Sequence, residues 1–195
     1  MSKYKYYIFN KPYFVLSQFT QDVEGQRTLK DYLDIEKDVY PVGRLDKDSE
    51  GFLLLTNDSD FKNHILNPKK KTPKTYTVQV DGEITEKAIQ QLRKGIKLRI
   101  KKKEFTTLPA KVVKIDPPPI EERDPPVRFR KEIPTSWIKI TLIEGKNRQV
   151  RKMGAAVGFP VLRLIRTDVG GLEFQDVQIG KFRSLTKEEL IALRK

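Results

Sequence analysis

Apolar residues along the chain alternate, bunch together or recur at helical spacing, and these three patterns mark out the elements. Residues 4–10 alternate weakly and are rich in Tyr, Ile and Phe, which predicts a strand ended by the turn Asn10-Lys11-Pro12. Tyr13–Phe19 reads as a second strand, and Leu29, Tyr32 and Leu33 give Thr28–Leu33 the spacing of a short helix. Phe52–Leu55 is a solid apolar run between Gly51 and Asn57-Asp58, the mark of a buried strand. Asp58 or Ser59 caps a helix through His64, with Phe61 and Ile65 on one face and Pro68 closing it. Tyr76–Val80 alternates as a strand. A helix capped by Thr85 runs to Lys94, stops at Gly95 and carries Ile89 and Leu92 on its stripe.

Ile96–Ile100 and Phe105–Ile115 read as strands around a hairpin tip, Lys101-Lys102-Lys103-Glu104. Residues 116–134 change character. Pro117-Pro118-Pro119, Pro125-Pro126 and Pro134 remove donors and restrict their neighbours, so helix and central strand are excluded. With Arg123, Arg128, Arg130 and Lys131, the segment is a basic surface loop, either a tolerated insertion or an arm along an RNA backbone. Ser136–Leu142 alternates. Asn147 is placed to cap a helix over Arg148–Val157, with Val150, Met153 and Val157 buried and Arg148 and Arg151 sharing another face. Val161–Val169 is a strand, Leu172–Leu185 holds strands broken at Gly180, and Thr186 caps a last helix with Leu190, Ile191 and Leu193 apolar. No internal repeat is visible.

The charges crowd before the buried strand: Arg44, Asp46, Lys47, Asp48 and Glu50, bracketed by Gly43 and Gly51. A charged turn at a strand end is a place from which a rigid scaffold aims side chains. Asp46, Asp48, Glu50 and Gly51 copy half of a calcium loop. The closing glutamate would fall on Asn57 and the flanks are not helical, so calcium does not fit.

Thirty-nine Lys plus Arg against 26 Asp plus Glu leave a net charge of +13, an excess that favours polyanionic partners. There is no cysteine, which excludes disulfides, thiolate nucleophiles and cysteine-ligated metals, and the single histidine, His64, is unmarked for catalysis. No apolar run approaches the roughly 20 residues that span a bilayer, and the N-terminus lacks a signal-peptide core. A cytoplasmic protein of one domain, 1–195, without a membrane or metal site is the expectation.

Gly43-Arg44-Leu45-Asp46, followed by Gly51-Phe52-Leu53-Leu54-Leu55-Thr56-Asn57-Asp58, resembles the signature of the pseudouridine synthases that modify ribosomal RNA. Lys74-x-Tyr76-x-Val78 matches the family's tyrosine strand, and Glu144 to Met153 resembles its third signature, with lysines at Lys146 and Lys152 where arginines are usual. Leu162-Arg163-Leu164-Ile165-Arg166 and Gly170 also fit. Ser49 and Phe52 depart from the commoner Thr and Leu. Ile133–Trp137 and Gly158-Phe159-Pro160 most resemble the E type among the synthases that act on large-subunit RNA.

The resemblance implies an α+β fold with a mixed, largely antiparallel central sheet and flanking helices, and no N-terminal S4 domain. It implies isomerisation of a uridine, most naturally in 23S RNA, by a monomer without a cofactor. Asp46 would be the catalytic carboxylate, Tyr76 the stacking partner of the uracil, and Arg151, or after it Arg148, the guanidinium that keeps Asp46 ionised. Arg44 would fill the space left by the extruded base. Lys74, Lys146, Lys152, Arg128 and Arg130 would contact RNA. Three roles stay open for Asp46: attack on the sugar C1′, attack on the base, or removal of a sugar proton. The rival reading is a basic RNA-binding or ribosome-assembly protein that keeps the fold and lacks the chemistry.

Overall fold

A computed structural model of the chain describes residues 3–100, 103–128, 130–174 and 176–195. In chain order the strands and helices are β1 (Tyr6–Lys11), β2 (Tyr40–Pro41), β3 (Glu50–Thr56), α1 (Ser59–Leu66), β4 (Lys74–Asp81), α2 (Glu86–Lys94), β5 (Lys97–Ile100), β6 (Lys103–Thr106), β7 (Lys111–Ile115), β8 (Thr135–Leu142), α3 (Gln149–Ala156), β9 (Val161–Val169), β10 (Leu172–Glu173), β11 (Phe182–Ser184) and α4 (Lys187–Arg194). This is an α+β fold. Two units divide it: the first is Met1–Thr72 with Ile165–Lys195, the second Pro73–Leu164.

In the first unit β1 lies antiparallel to β3, with Ile8 opposite Leu54 and Phe9 opposite Leu53. Its other edge takes β11. β3 is buried along its whole length, as an unbroken apolar run requires. β3 runs parallel to β9, Gly51 facing Arg166. Gly51 has φ +98°, and a β-carbon there would collide with the Arg166 carbonyl, so only glycine lets the two backbones meet. Ile8, Phe52 and Leu54 pack with Phe61 and Ile65 of α1 and Leu193 of α4. Asp58 caps α1 by accepting from the Phe61 N–H at 3.0 Å. The same carboxylate accepts from the Tyr6 hydroxyl at 2.6 Å and from Arg194 at 2.8 Å.

Three expectations fail in this unit. Tyr13–Phe19 makes no strand; it holds a single bridge, Val15 to Arg27. Pro12 has no donor, and Phe14 sits at φ 61°, so the extended run breaks at once. The helix expected at Thr28–Leu33 is one 3₁₀ turn, Leu29–Asp31. In α4 Leu193 is buried, whereas Ile191 faces solvent.

In the second unit β8 lies between β4 and β7, antiparallel to both; Ile140 faces Tyr76 on one side and Val112 on the other. Val78, Val80, Ile138 and Ile140 bury one sheet face against Ile89 and Leu92 of α2 and Val150 and Met153 of α3. Thr85 caps α2 through the Ala88 N–H, and Gly95 follows it at φ +98°. The strand expected over Phe105–Ile115 is two short ones. Thr107 bends the chain between them, its N–H donating to the Ile96 carbonyl and its hydroxyl accepting from the Ile96 N–H, both at 2.9 Å. Lys101 and Lys102 of the expected hairpin tip lie outside the described residues. Residues 116–134 carry no helix or strand among those described. Arg123 donates to the Pro125 carbonyl at 2.8 Å, and Arg163 to the Glu121 carbonyl at 2.9 Å. No described helix is long and apolar enough to cross a membrane.

Candidate active site

Asp46 sits half-buried in the turn that leads into β3. The turn is closed by the Ser49 N–H on the Asp46 carbonyl at 3.0 Å. Ser17 clamps the preceding residue: its hydroxyl donates to the Leu45 carbonyl at 2.8 Å and accepts from the Leu45 N–H at 3.1 Å. Arg44 is exposed and donates to the Gln18 side-chain carbonyl at 3.0 Å.

Lys11, read from sequence only as part of a turn, lies at the centre of this arrangement. It is fully buried. Its ammonium donates to the carbonyls of Val15 at 2.7 Å and Pro12 at 2.9 Å, with Lys47 O at 3.5 Å. Burial pushes its pKa down to about 7, against the pull of Glu50, Asp48 and Asp46, whose charges favour the ammonium. A lysine at the end of an apolar strand was the available signal. Its role emerges only when folding brings the carbonyls round it.

In the second unit Tyr76 stands half-buried at the margin of the apolar cluster that Val150 and Met153 also enter. Lys74 shares its face of β4, two residues earlier. The start of α3 differs from expectation. Asn147 does not cap it. Arg148 occupies the N-cap position in the left-handed region, φ 52° and ψ 35°, outside the helix proper. Arg148 and Arg151 therefore do not lie on one helical face.

Buried Gln149, the first residue of α3, instead ties down the loop ahead of the helix. Its carbonyl accepts from the Lys146 N–H at 2.9 Å, and its amide donates to Glu144 at 2.6 Å. Glu144 in turn accepts from the Leu108 N–H at 2.8 Å. Arg151, half-buried in the first turn of α3, donates to the Val161 carbonyl at 3.2 Å, which fixes its guanidinium relative to β9. Lys146 and Arg148 are exposed, and Lys152 is half-buried.

Arg128 and Arg130 belong elsewhere in the second unit. They line an open groove of about 460 Å³ with Gln79, Asp81, Trp137 and Arg163. Gln79 and Asp81 alternate with Val78 and Val80 along β4, so this groove and Tyr76 lie on opposite faces of that strand. Arg130 pairs with Asp81 at 3.0 Å. Among the described residues no three His, Cys, Asp or Glu side chains gather as metal ligands.

The chain belongs to the RNA pseudouridylate synthase family, whose family model matches residues 5–156. It is 54% identical over 181 residues to the ribosomal large subunit pseudouridine synthase E of Vibrio parahaemolyticus, covering 93% of this chain and 74% of that protein. The protein of the same description from Vibrio vulnificus is 51% identical, with 95% and 77% covered. The Bacillus subtilis ribosomal large subunit pseudouridine synthase B is 36% identical, with 97% and 71% covered. A pseudouridylate synthase crystal structure superposes with a TM-score of 0.81 at 26% identity, over 99% of this chain and 75% of that one.

Proposed function

We propose that this enzyme converts a uridine of large-subunit ribosomal RNA to pseudouridine in the cytoplasm. The observation that carries the reading is the identity of more than half, over nearly the whole chain, to a synthase whose description assigns it to the large ribosomal particle. In the reaction the N1–C1′ bond of uridine breaks, the freed uracil turns, and C5 bonds to C1′. C5 loses its proton and N1 gains one, so no outside reductant, oxidant or group donor enters.

Asp46 supplies the ionised carboxylate, as nucleophile or base. Arg151 is the guanidinium that keeps it charged, since an opposite charge favours the ionised form. A uridine inside folded RNA must be extruded first, at a cost of about a few kcal/mol. Tyr76 offers the extruded uracil a ring to stack on, and Arg44 enters the space it leaves. Lys74, Lys146, Arg148 and Lys152 take the phosphates nearby; Arg128 and Arg130 take RNA farther out. The support for these roles is the family membership together with the rigid mounting of the Asp46 turn and of α3.

The test is Asp46→Asn, which keeps the size and removes the charge. Pseudouridine formation in the unmodified transcript should fall by about 10⁴-fold or more, while RNA retention stays. Mapping pseudouridines in ribosomal RNA with and without the protein would identify the target. Modification that persists in the variant would remove Asp46 from the chemistry.

A further inference from the structure

Phe14 is left unused by the roles above, and its conformation is unusual. Its φ of 61° lies in the left-handed region, where a bulky side chain crowds its own backbone. Such strain persists only where the surroundings over-determine it, and it gathers at functional positions. Burial of the ring does not compensate, because Phe14 is 44% exposed while its neighbours Val15 and Leu16 take the core contacts.

The backbone is held from several sides. The Phe14 N–H donates to the Lys47 carbonyl at 2.9 Å. Lys11 grips the carbonyls of Pro12 and Val15, one on each side of the residue. The fold thus holds an aromatic ring out towards solvent, on a backbone whose N–H is hydrogen-bonded to the residue after Asp46.

Two further groups complete the feature. The Tyr13 ring packs against Phe14 at 4.7 Å, tilted by 44°. The Lys47 ammonium lies over the Phe14 ring, 4.6 Å from its centre. Ring and cation together match a nucleotide, which presents a flat base and a phosphate.

We infer that Phe14, with Lys47, is a stacking platform for an unpaired base of the RNA next to the target uridine. The inference rests on the reading of this chain as an RNA-modifying enzyme. Every base has a π-face, so the platform tolerates sequence and fixes position. It acts by holding the strand from which the uridine is extruded; Phe14 is a positioning residue and touches no reacting atom.

The experiment compares Phe14→Gly and Phe14→Trp with wild type. The RNA is an unmodified large-subunit transcript labelled with tritium at uridine C5. Glycine removes the ring and relieves the strain, so this variant should melt at or above the wild-type temperature. Its half-saturating RNA concentration in tritium release, and its Kd by filter retention, should rise about 10- to 100-fold. Tryptophan should restore affinity to near the wild-type level. Unchanged affinity in Phe14→Gly would overturn the inference. So would a loss of affinity matched by a fall in melting temperature, or a failure of tryptophan to rescue. Filter retention reads the platform even if no tritium is released, so failure of the isomerase reading shows separately.

Discussion

Lys11 shows how one side chain sets the conditions for the turn that carries Asp46. A fully buried ammonium is stable only because carbonyls and nearby carboxylates replace its water. Burial lowers its folded pKa to about 7, while the unfolded chain keeps the ordinary value of 10.5. Between those values the unfolded state binds the extra proton, so folding stability rises with pH from about 7 towards 10. Lys11→Met should abolish that rise, measured as the difference in denaturant midpoint between pH 7 and pH 9.5. The residues proposed for chemistry were legible because their motifs stand contiguous in the sequence. Gln149 stands in one of these motifs and Lys11 in the turn that ends β1, yet their work was not legible. It depends on carbonyls and amides that only folding brings within reach.

Among the elements, β4 and β8 were readable because each alternates over enough residues to outweigh any single exception. The run Tyr13–Phe19 misled because its apolar residues serve a loop: Val15 and Leu16 are buried, and Phe14 is turned out. The start of α3 misled for a related reason. A left-handed Arg148 redirects the chain, and a buried glutamine reaches back to satisfy the Lys146 N–H. Gln149→Ala would leave that N–H and the Glu144 carboxylate without this partner, a loss of about 1–3 kcal/mol in stability. The measurement is the denaturant midpoint. Turnover should fall further than binding, since Arg151 is mounted on the same first turn.

At the scale of the whole molecule, acid should be the weak condition. Burial by itself would raise the Asp58 pKa, but the Phe61 N–H, the Tyr6 hydroxyl and the Arg194 charge outweigh it and hold it below the usual value. Hydrogen bonds from Arg183 hold Glu189 and Asp176 low in the same way. A depressed carboxylate contributes stability above its unfolded pKa and loses it as pH falls through the folded one. Melting temperature should therefore hold steady between about pH 5 and 7, below the rise due to Lys11, and decline below about pH 4, less steeply in Asp58→Asn. The division of the chain has a further consequence for its synthesis. The first unit is completed by a segment translated after the second unit: β1 takes β11 along one edge, and Asp58 waits for Arg194. The middle unit is continuous and can close while the ribosome is still at work. The opening strands must stay soluble, with an edge unpaired, until β11 and α4 have been made.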